Sequence, residues 1–256
     1  LGKNGDDGEV AIATYETTRA YVQDRIEALK DDPLRNPVRL IPVLNLAFTG
    51  NGSDASVYGN DAQLMATIVD SQVDSQVDSQ VNSEDGTRFI DKALRLNGKG
   101  YAKVDDDSSL TMGHADFSLT LTAKITRKNR RIPHNYYAFV AKASSTQGYI
   151  LGYQQDNGQL IVCLQGLIFC QWLQVDVALD DNQWHVITLT VDRDSEARFY
   201  VDGQDKGAVN ISAIADVPIN ATGSDLYIGA YVDDTKQATA RWQGAIGQLS
   251  VDKGVL

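Results

Sequence analysis

Carboxylates, a handful of aromatic rings and one dense basic cluster are the groups in this chain that could do chemistry. Retaining cleavage of a glycosidic bond needs two carboxyl groups about 5–5.5 Å apart, one as nucleophile and one as acid/base. The glutamates are Glu9, Glu16, Glu27, Glu84 and Glu196, so beyond Asp85 only Glu196 remains, in the turn-like run Asp194-Ser195-Glu196. Aspartates do cluster, at Asp105 to Asp107, Asp180-Asp181 and Asp233-Asp234, but in loop-like runs. Neighbouring residues on a strand also point to opposite faces and cannot act as a pair. A nucleophilic triad has only His114, His134 and His185 to draw on, without a nucleophile-elbow sequence. These patterns argue against an enzyme.

They leave binding. Sugars present flat apolar faces ringed by hydroxyls, so a site for them pairs an aromatic ring with Asp, Asn, Gln or Arg. Trp172 stands out because Gln171, Gln174 and Asp176 flank it, and Tyr136, Tyr137, Tyr153 and Tyr231 are further candidates. The competing reading is packing, since aromatic residues in strands are commonly core. Lys124, Arg127, Lys128, Arg130, Arg131 and His134 crowd together in a chain of net charge −11. The planar fork of arginine suits carboxylate and sulfate, so Arg127, Arg130 and Arg131 are candidates for an anionic polysaccharide. The alternative is a solvated loop paired with nearby aspartates. The overall acidity repels phosphate backbones, and no nucleic-acid partner is expected.

Positioning these groups falls to a mostly β chain. Residues 1–8 are polar and glycine-rich, as at a mature or trimmed N-terminus, and no stretch has the roughly 18 uninterrupted apolar residues of a membrane span. Asp7 can cap a helix over about 9–30, where Ala11, Tyr15, Thr18, Val22, Ile26 and Leu29 share one face. Asp31-Asp32-Pro33 ends it. Such a stripe must dock on the rest of the chain or on a protein partner. From Val38 the pattern becomes short β-branched and aromatic runs separated by Gly, Asn and Asp clusters such as Asn97-Gly98, Asp156-Asn157-Gly158 and Asp202-Gly203. That spacing predicts an antiparallel two-sheet sandwich. Phe117, Leu119 and Leu121 alternate with Ser118, Thr120 and Thr122, as a half-buried strand requires. Residues 70–81 repeat Asp-Ser-Gln-Val, read as part of an insertion loop over 66–85. The organisation expected is therefore 1–37 as a disordered start and amphipathic helix and 38–256 as sandwich.

Cys163 and Cys170 are the two cysteines and lie in one hairpin-like run. A turn at Gly166-Leu167 sets them opposite each other, and a turn at Gln165-Gly166 sets them diagonally, where bridging is harder. Two buried free thiols is the other reading.

From about Leu40 onward the chain resembles the bacterial laminin-G-like jelly rolls of the concanavalin A-like lectin/glucanase superfamily. The motifs are Leu44-Asn45-Leu46-Ala47-Phe48, then Asp54 and Tyr58-Gly59-Asn60-Asp61, then the passage from Gly86 to Tyr101. Most specific is a Trp-His strand, Gln183-Trp184-His185-Val186, followed by the hairpin Phe199-Tyr200-Val201-Asp202-Gly203. Leu226-Tyr227-Ile228-Gly229 and Trp242-Gln243-Gly244-Ala245-Ile246 close the series. The resemblance implies an all-β, concanavalin A-like jelly roll and a secreted or cell-surface setting; the N-terminal α-helix read from periodicity is an addition to it. Trp184 is expected between the sheets, with His185 on the opposite face as a satisfied strand-edge residue. The superfamily's glucanases carry a Glu-x-Asp-x-x-Glu strand that is missing here. Its members often hold a structural calcium, for which Asp54, Asn60 and Asp61 offer oxygen ligands. Ile246-Gly247-Gln248 stands where the family has Ile-Asp-Glu, so these residues read equally as plain turn residues. The function expected is a non-catalytic, lectin-like module for a glycan, with a structural or protein–protein interaction domain as the alternative.

Overall fold

A computed structural model of the protein describes Ala20 and residues 40–65, 88–90, 92–125, 136–144, 146–166, 169–241 and 243–254. The alternation seen in the sequence builds its first sheet. In β6 (Phe117–Ile125), Phe117, Leu119 and Leu121 are fully buried in the main core, while Ser118, Thr120 and Thr122 take the other face. β6 pairs with β11 (His185–Val191) on one side and β17 (Gln243–Lys253) on the other. Beyond β11 lie β12 (Glu196–Val201) and β13 (Gln204–Asn210). Beyond β17 lie β4 (Ala93–Asn97) and β3 (Arg88–Ile90), and β1 (Ile41–Leu46) also pairs with β17.

The second sheet runs in the order β10 (Phe169–Asp176), β9 (Gln159–Gly166), β8 (Gly148–Gln154), β7 (Tyr137–Ala143), β14 (Leu226–Ile228), β5 (Tyr101–Val104) and β2 (Ala62–Met65). A small ribbon, β15 (Tyr231–Val232) with β16 (Ala238–Thr239), stands apart. All pairings among the described residues are antiparallel. Leu119, Leu121, Ile187, Leu189 and Val251 of the first sheet share one apolar cluster with Tyr149, Leu151, Leu160, Val162 and Leu226 of the second. Two antiparallel sheets thus close face to face over one core, the sandwich that the sequence predicts.

The expected helix at about 9–30 lies, apart from Ala20, outside the described residues, as does the 66–85 insertion. The named elements of the described chain are strands and two 3-10 turns, Ser108–Leu110 and Ser212–Ile214. β2 and β3, which flank the insertion, belong to different sheets.

One expectation is corrected. Trp184 is only partly buried and does not lie between the sheets. Ile187, Leu189 and Val191 face the core, so period-two alternation sends Trp184 to the outer face with Val186 and Thr188. There its ring lies over Gly247: a Cβ added to that glycine would sit 3.6 Å from Trp184 and 2.2 Å from Thr122 Oγ1. Glycine at 247 leaves room for Thr122 beneath the indole.

His185 is the residue on the core-facing phase, at the strand's end. Its Nδ1 is 2.8 Å from Asp202 Oδ2 and its Nε2 is 3.0 Å from Asp181 Oδ1. Asp202 also accepts the Val186 amide at 2.9 Å. Hydrogen bonding to Asp202 raises the histidine pKa above its ordinary value, against an opposing effect of burial, with Asp181 adding to the rise. The raised pKa means that the protonated ring stabilises the fold below the ordinary histidine pKa, and that this contribution disappears as pH rises through the folded value. The stability difference between the protein and His185→Ala should therefore be larger near pH 6 than near pH 9, measured by denaturant titration at the two pH values; equal differences would show that the clamp does not titrate.

Candidate functional site

The seven-stranded sheet is apolar on both faces. Along β9, Leu160, Val162 and Leu164 fill the main core, while Ile161 and Cys163 join a second cluster on the outer face. That cluster includes Tyr136, Ala138, Ala141, Ala143, Ile150 and Ala240, with Tyr231 packed against it. The small side chains keep the face shallow, and the Ala138 amide donates to Ala240 O at 2.9 Å, holding the chain after β16 against β7.

Trp172 lies at the sheet edge on this same face. Leu173 points into the core, so Trp172, Gln174 and Asp176 alternate outward and all three are exposed. Trp172 keeps 44% of its surface in solvent, and its ring meets Tyr136 with centroids 5.2 Å apart and planes at 61°. Such edge-to-face pairs favour a fixed geometry. Tyr136 is almost fully buried and lies over Gly152, where an added Cβ would come within 3.3 Å of its ring. Burial, and secondarily the neighbouring Tyr231, push the Tyr136 phenol far up in pKa, so it stays neutral. Tyr231 is also raised, first by burial and then by Asp234 and Asp233.

Polar groups line the end of this shelf. Gln154 pairs with Gln159 across β8 and β9, and Gln159 pairs with Asp176 across β9 and β10. Gln159 Nε2 donates to Asp176 Oδ1 at 2.8 Å. The β15–β16 turn is held by Asp233, whose Oδ1 accepts the Thr235 amide, the Thr235 hydroxyl and the Gln237 amide at 2.9, 2.6 and 3.0 Å.

Cys163 is fully buried and disulfide-bonded, and Cys170 is the chain's other cysteine. The hairpin pairs Gly166 with Phe169, a register that differs from both considered from sequence. Cys163 stands opposite Trp172 and Cys170 opposite Gln165, so the cysteines are diagonal neighbours beside the exposed tryptophan.

Of the sequence candidates, Trp172, Tyr136 and Tyr231 come together on the shelf. Tyr137 and Tyr153 are fully buried in the main core. The Tyr153 hydroxyl accepts the Leu179 amide at 3.3 Å and the Tyr137 hydroxyl donates to Gln155, so both serve packing. Arg127, Arg130 and Arg131 lie outside the described residues. Gly152, Gln154 and Gln159 were not anticipated. Asp156-Asn157-Gly158 marks a turn in the sequence, and the observed β8–β9 register sets Gln154 opposite Gln159.

Asp54, Asn60 and Asp61 do cluster, around protein donors. Asp54 Oδ1 accepts the Asn45 and Ser56 amides at 2.7 and 2.9 Å, and its Oδ2 accepts the Ser56 hydroxyl and the Asn60 amide at 2.5 and 2.8 Å. Asn60 Nδ2 donates to Val43 O at 2.8 Å and Ser109 Oγ at 3.0 Å, and Asp61 Oδ1 accepts the Asp54 amide at 2.8 Å. Among the described residues no group of three or more His, Cys, Asp or Glu is arranged to hold a metal ion, and Asp54 is satisfied by the chain itself.

Residues 96–256 match the laminin-G profile of the concanavalin A-like lectin/glucanases superfamily. The chain belongs to this family. No curated protein matches it. Solved structures of similar fold include the binding domain of Paraclostridial mosquitocidal protein 1, at 15% identity and TM-score 0.59 over 85% of this chain and 49% of that one. A botulinum neurotoxin type C structure, described as entering cells through two ganglioside molecules, matches at 14% identity and TM-score 0.58 over 84% and 48%. Domain 4 of AbnA, an extracellular arabinanase of Geobacillus stearothermophilus, in complex with arabinotriose, matches at 15% identity and TM-score 0.55 over 86% and 94%. The chain thus spans about half the length of the toxin structures and nearly all of the arabinanase domain. At these identities the likeness shows the fold.

Gly152 gives the shelf a direct test. An added Cβ would lie 2.3 Å from the Tyr137 carbonyl oxygen, a backbone atom that cannot swing away. Gly152→Ala should lower stability by about 1–3 kcal/mol, the range for overpacking, and change the near-ultraviolet circular dichroism of the Tyr136–Trp172 pair. The Asp54 knot gives another: Asp54→Ala should lower the thermal midpoint, and EDTA should leave the midpoint of the unmutated protein unchanged. A fall in EDTA that calcium restores would assign an ion to this loop.

Proposed function

We propose that this chain is a non-catalytic, lectin-like carbohydrate-binding module of an extracellular or cell-surface protein, and that it binds through the outer face of the seven-stranded sheet. The observation that carries the reading is Trp172, which remains 44% exposed while fixed edge-to-face against a buried tyrosine. A tryptophan held rigid but open loses little conformational freedom on binding, and it offers the flat apolar surface that the unsubstituted face of a sugar ring fits. Gln154, Gln159, Gln174 and Asp176 supply beside it the amide and carboxylate groups that exchange hydrogen bonds with hydroxyls. Ganglioside and arabinotriose in the descriptions of two structural relatives agree with the reading.

A glycan array followed by calorimetry tests it. Trp172→Ala should weaken any glycan bound at least tenfold, about 1.4 kcal/mol, while changing folding stability by no more than about 1 kcal/mol, as expected of an exposed site. Unchanged affinity would move the site off this face.

Protein interaction has an observation of its own. Val57 is 92% exposed and Tyr58 46% exposed at the tip of the loop that Asp54 ties down. On that reading Val57→Ser with Tyr58→Ser abolishes partner binding and leaves glycan binding intact, whereas Trp172→Ala does the reverse.

A further inference from the structure

We infer that the shelf selects uncharged, linear glycans, laid along β10 from Trp172 toward Asp176, and discriminates against uronic-acid and sulfated chains. The inference deepens the carbohydrate reading above and rests on it. Its basis is the order of side chains along one edge strand.

Trp172, Gln174 and Asp176 are consecutive outward residues of β10, and each is exposed. Four residues of strand span about 13 Å, longer than a single sugar ring, so a ligand that stacks on Trp172 and also reaches Asp176 is a chain of several units. Asp176 is braced at 2.8 Å by Gln159, whose backbone partner on the far side is Gln154. The glutamine amides both donate and accept, and the ionised carboxylate only accepts. Sugar hydroxyls complement such a row because each donates and accepts. A ligand carboxylate or sulfate has no proton to offer Asp176, meets a like charge there and leaves the aspartate's lone pairs unpaired.

The rest of the described rim is acidic on balance. Asp233 and Asp234 stand at the start of the β15–β16 turn beside Tyr231, close enough that their charges help hold its phenol protonated. Lys236 is exposed in that turn and offsets one of them in part. Arg241 Nη1 donates to the Lys99 carbonyl at 3.0 Å, and its charge acts on Tyr101. The run containing Arg127, Arg130 and Arg131 leads into Tyr136 in sequence but lies outside the described residues. It points toward the opposite preference, so a measurement of charge selectivity decides between them.

The experiment is isothermal titration of the full chain with matched pairs of linear oligosaccharides, each neutral chain set against its carboxylated or sulfated counterpart of equal length. Pairs are taken from whichever backbones register on the array. At low salt the neutral member should bind at least about tenfold more tightly. Added salt should narrow the gap, because exposed charges are screened within about 10 Å at 0.1 M. Asp176→Asn keeps the side chain's size and an acceptor for Gln159 but removes the charge; it should reduce the ratio of neutral to charged affinity severalfold, whatever it does to the affinity for the neutral chain. Neutral trimers should bind more tightly than the matching monosaccharide. Equal or tighter binding of the charged members, or affinity that falls with salt, would overturn the selectivity and leave the carbohydrate reading standing. Binding of no member of any pair would overturn the carbohydrate reading itself.

Discussion

The inner faces of two sheets have to be filled from both sides by the same kind of residue, and that requirement governs what each strand can show to solvent. Phe117, Leu119 and Leu121 on β6, Ile187 and Leu189 on β11, and Leu160 and Val162 on β9 are committed to the core. Side chains alternate along a strand, so committing one set assigns the other to the outside. Trp172 is exposed because Leu173 is not. His185 reaches its two aspartates because Ile187, two residues on, is packed inside.

The two outer faces that result are chemically unlike. On the eight-stranded sheet the outward positions of the central strands are hydroxyl-rich: Ser118, Thr120, Thr188, Thr190 and Ser250. Thr120 and Thr188 face each other with Oγ1 atoms 3.3 Å apart, a cross-strand contact that ties neighbouring strands. On the seven-stranded sheet the corresponding positions are alanine, isoleucine, cysteine and glycine, overlaid by the rings of Tyr136 and Tyr231. A hydroxyl-rich face is satisfied by its own lattice. An apolar face with one tryptophan left open is poised for a partner, and this asymmetry is the reason to look for the site on that side.

How much of this the sequence shows depends on whether a strand has one wet side. β6 has an apolar and a hydroxyl face and could be read at once. β7 is buried along its whole length, so its sequence lacks the alternation that would say which of Tyr136 and Tyr137 faces outward; a register shift between Ala138 and Val140 obscures the phase further. β13 is an edge strand without a fully buried residue, and in the sequence only the hairpin turn at Asp202-Gly203 announces it. Trp184 was misplaced for a related reason. Its size suggested core, but the phase of β11 is set by three smaller residues, Ile187, Leu189 and Val191. Trp172 was legible because polar neighbours flank it, whereas Gln154 and Gln159 belong to other strands and only the hairpin registers bring them to the same face.

The loop fastened by Asp54 separates shape from sequence. Four donors converge on one carboxylate, two of them backbone amides from either side of the loop, Asn45 and Asn60. The backbone path is thereby specified by Asp54, by three backbone amides and by the Ser56 hydroxyl. At the tip the Tyr58 amide donates to Ser56 Oγ at 3.2 Å, while the side chains of Val57 and Tyr58 stand exposed. Substitution there is nearly free of folding consequence, so lineages of this protein can exchange tip residues as their surroundings change while the hub stays fixed. A loop built this way is a place where new recognition can be tried without endangering the scaffold.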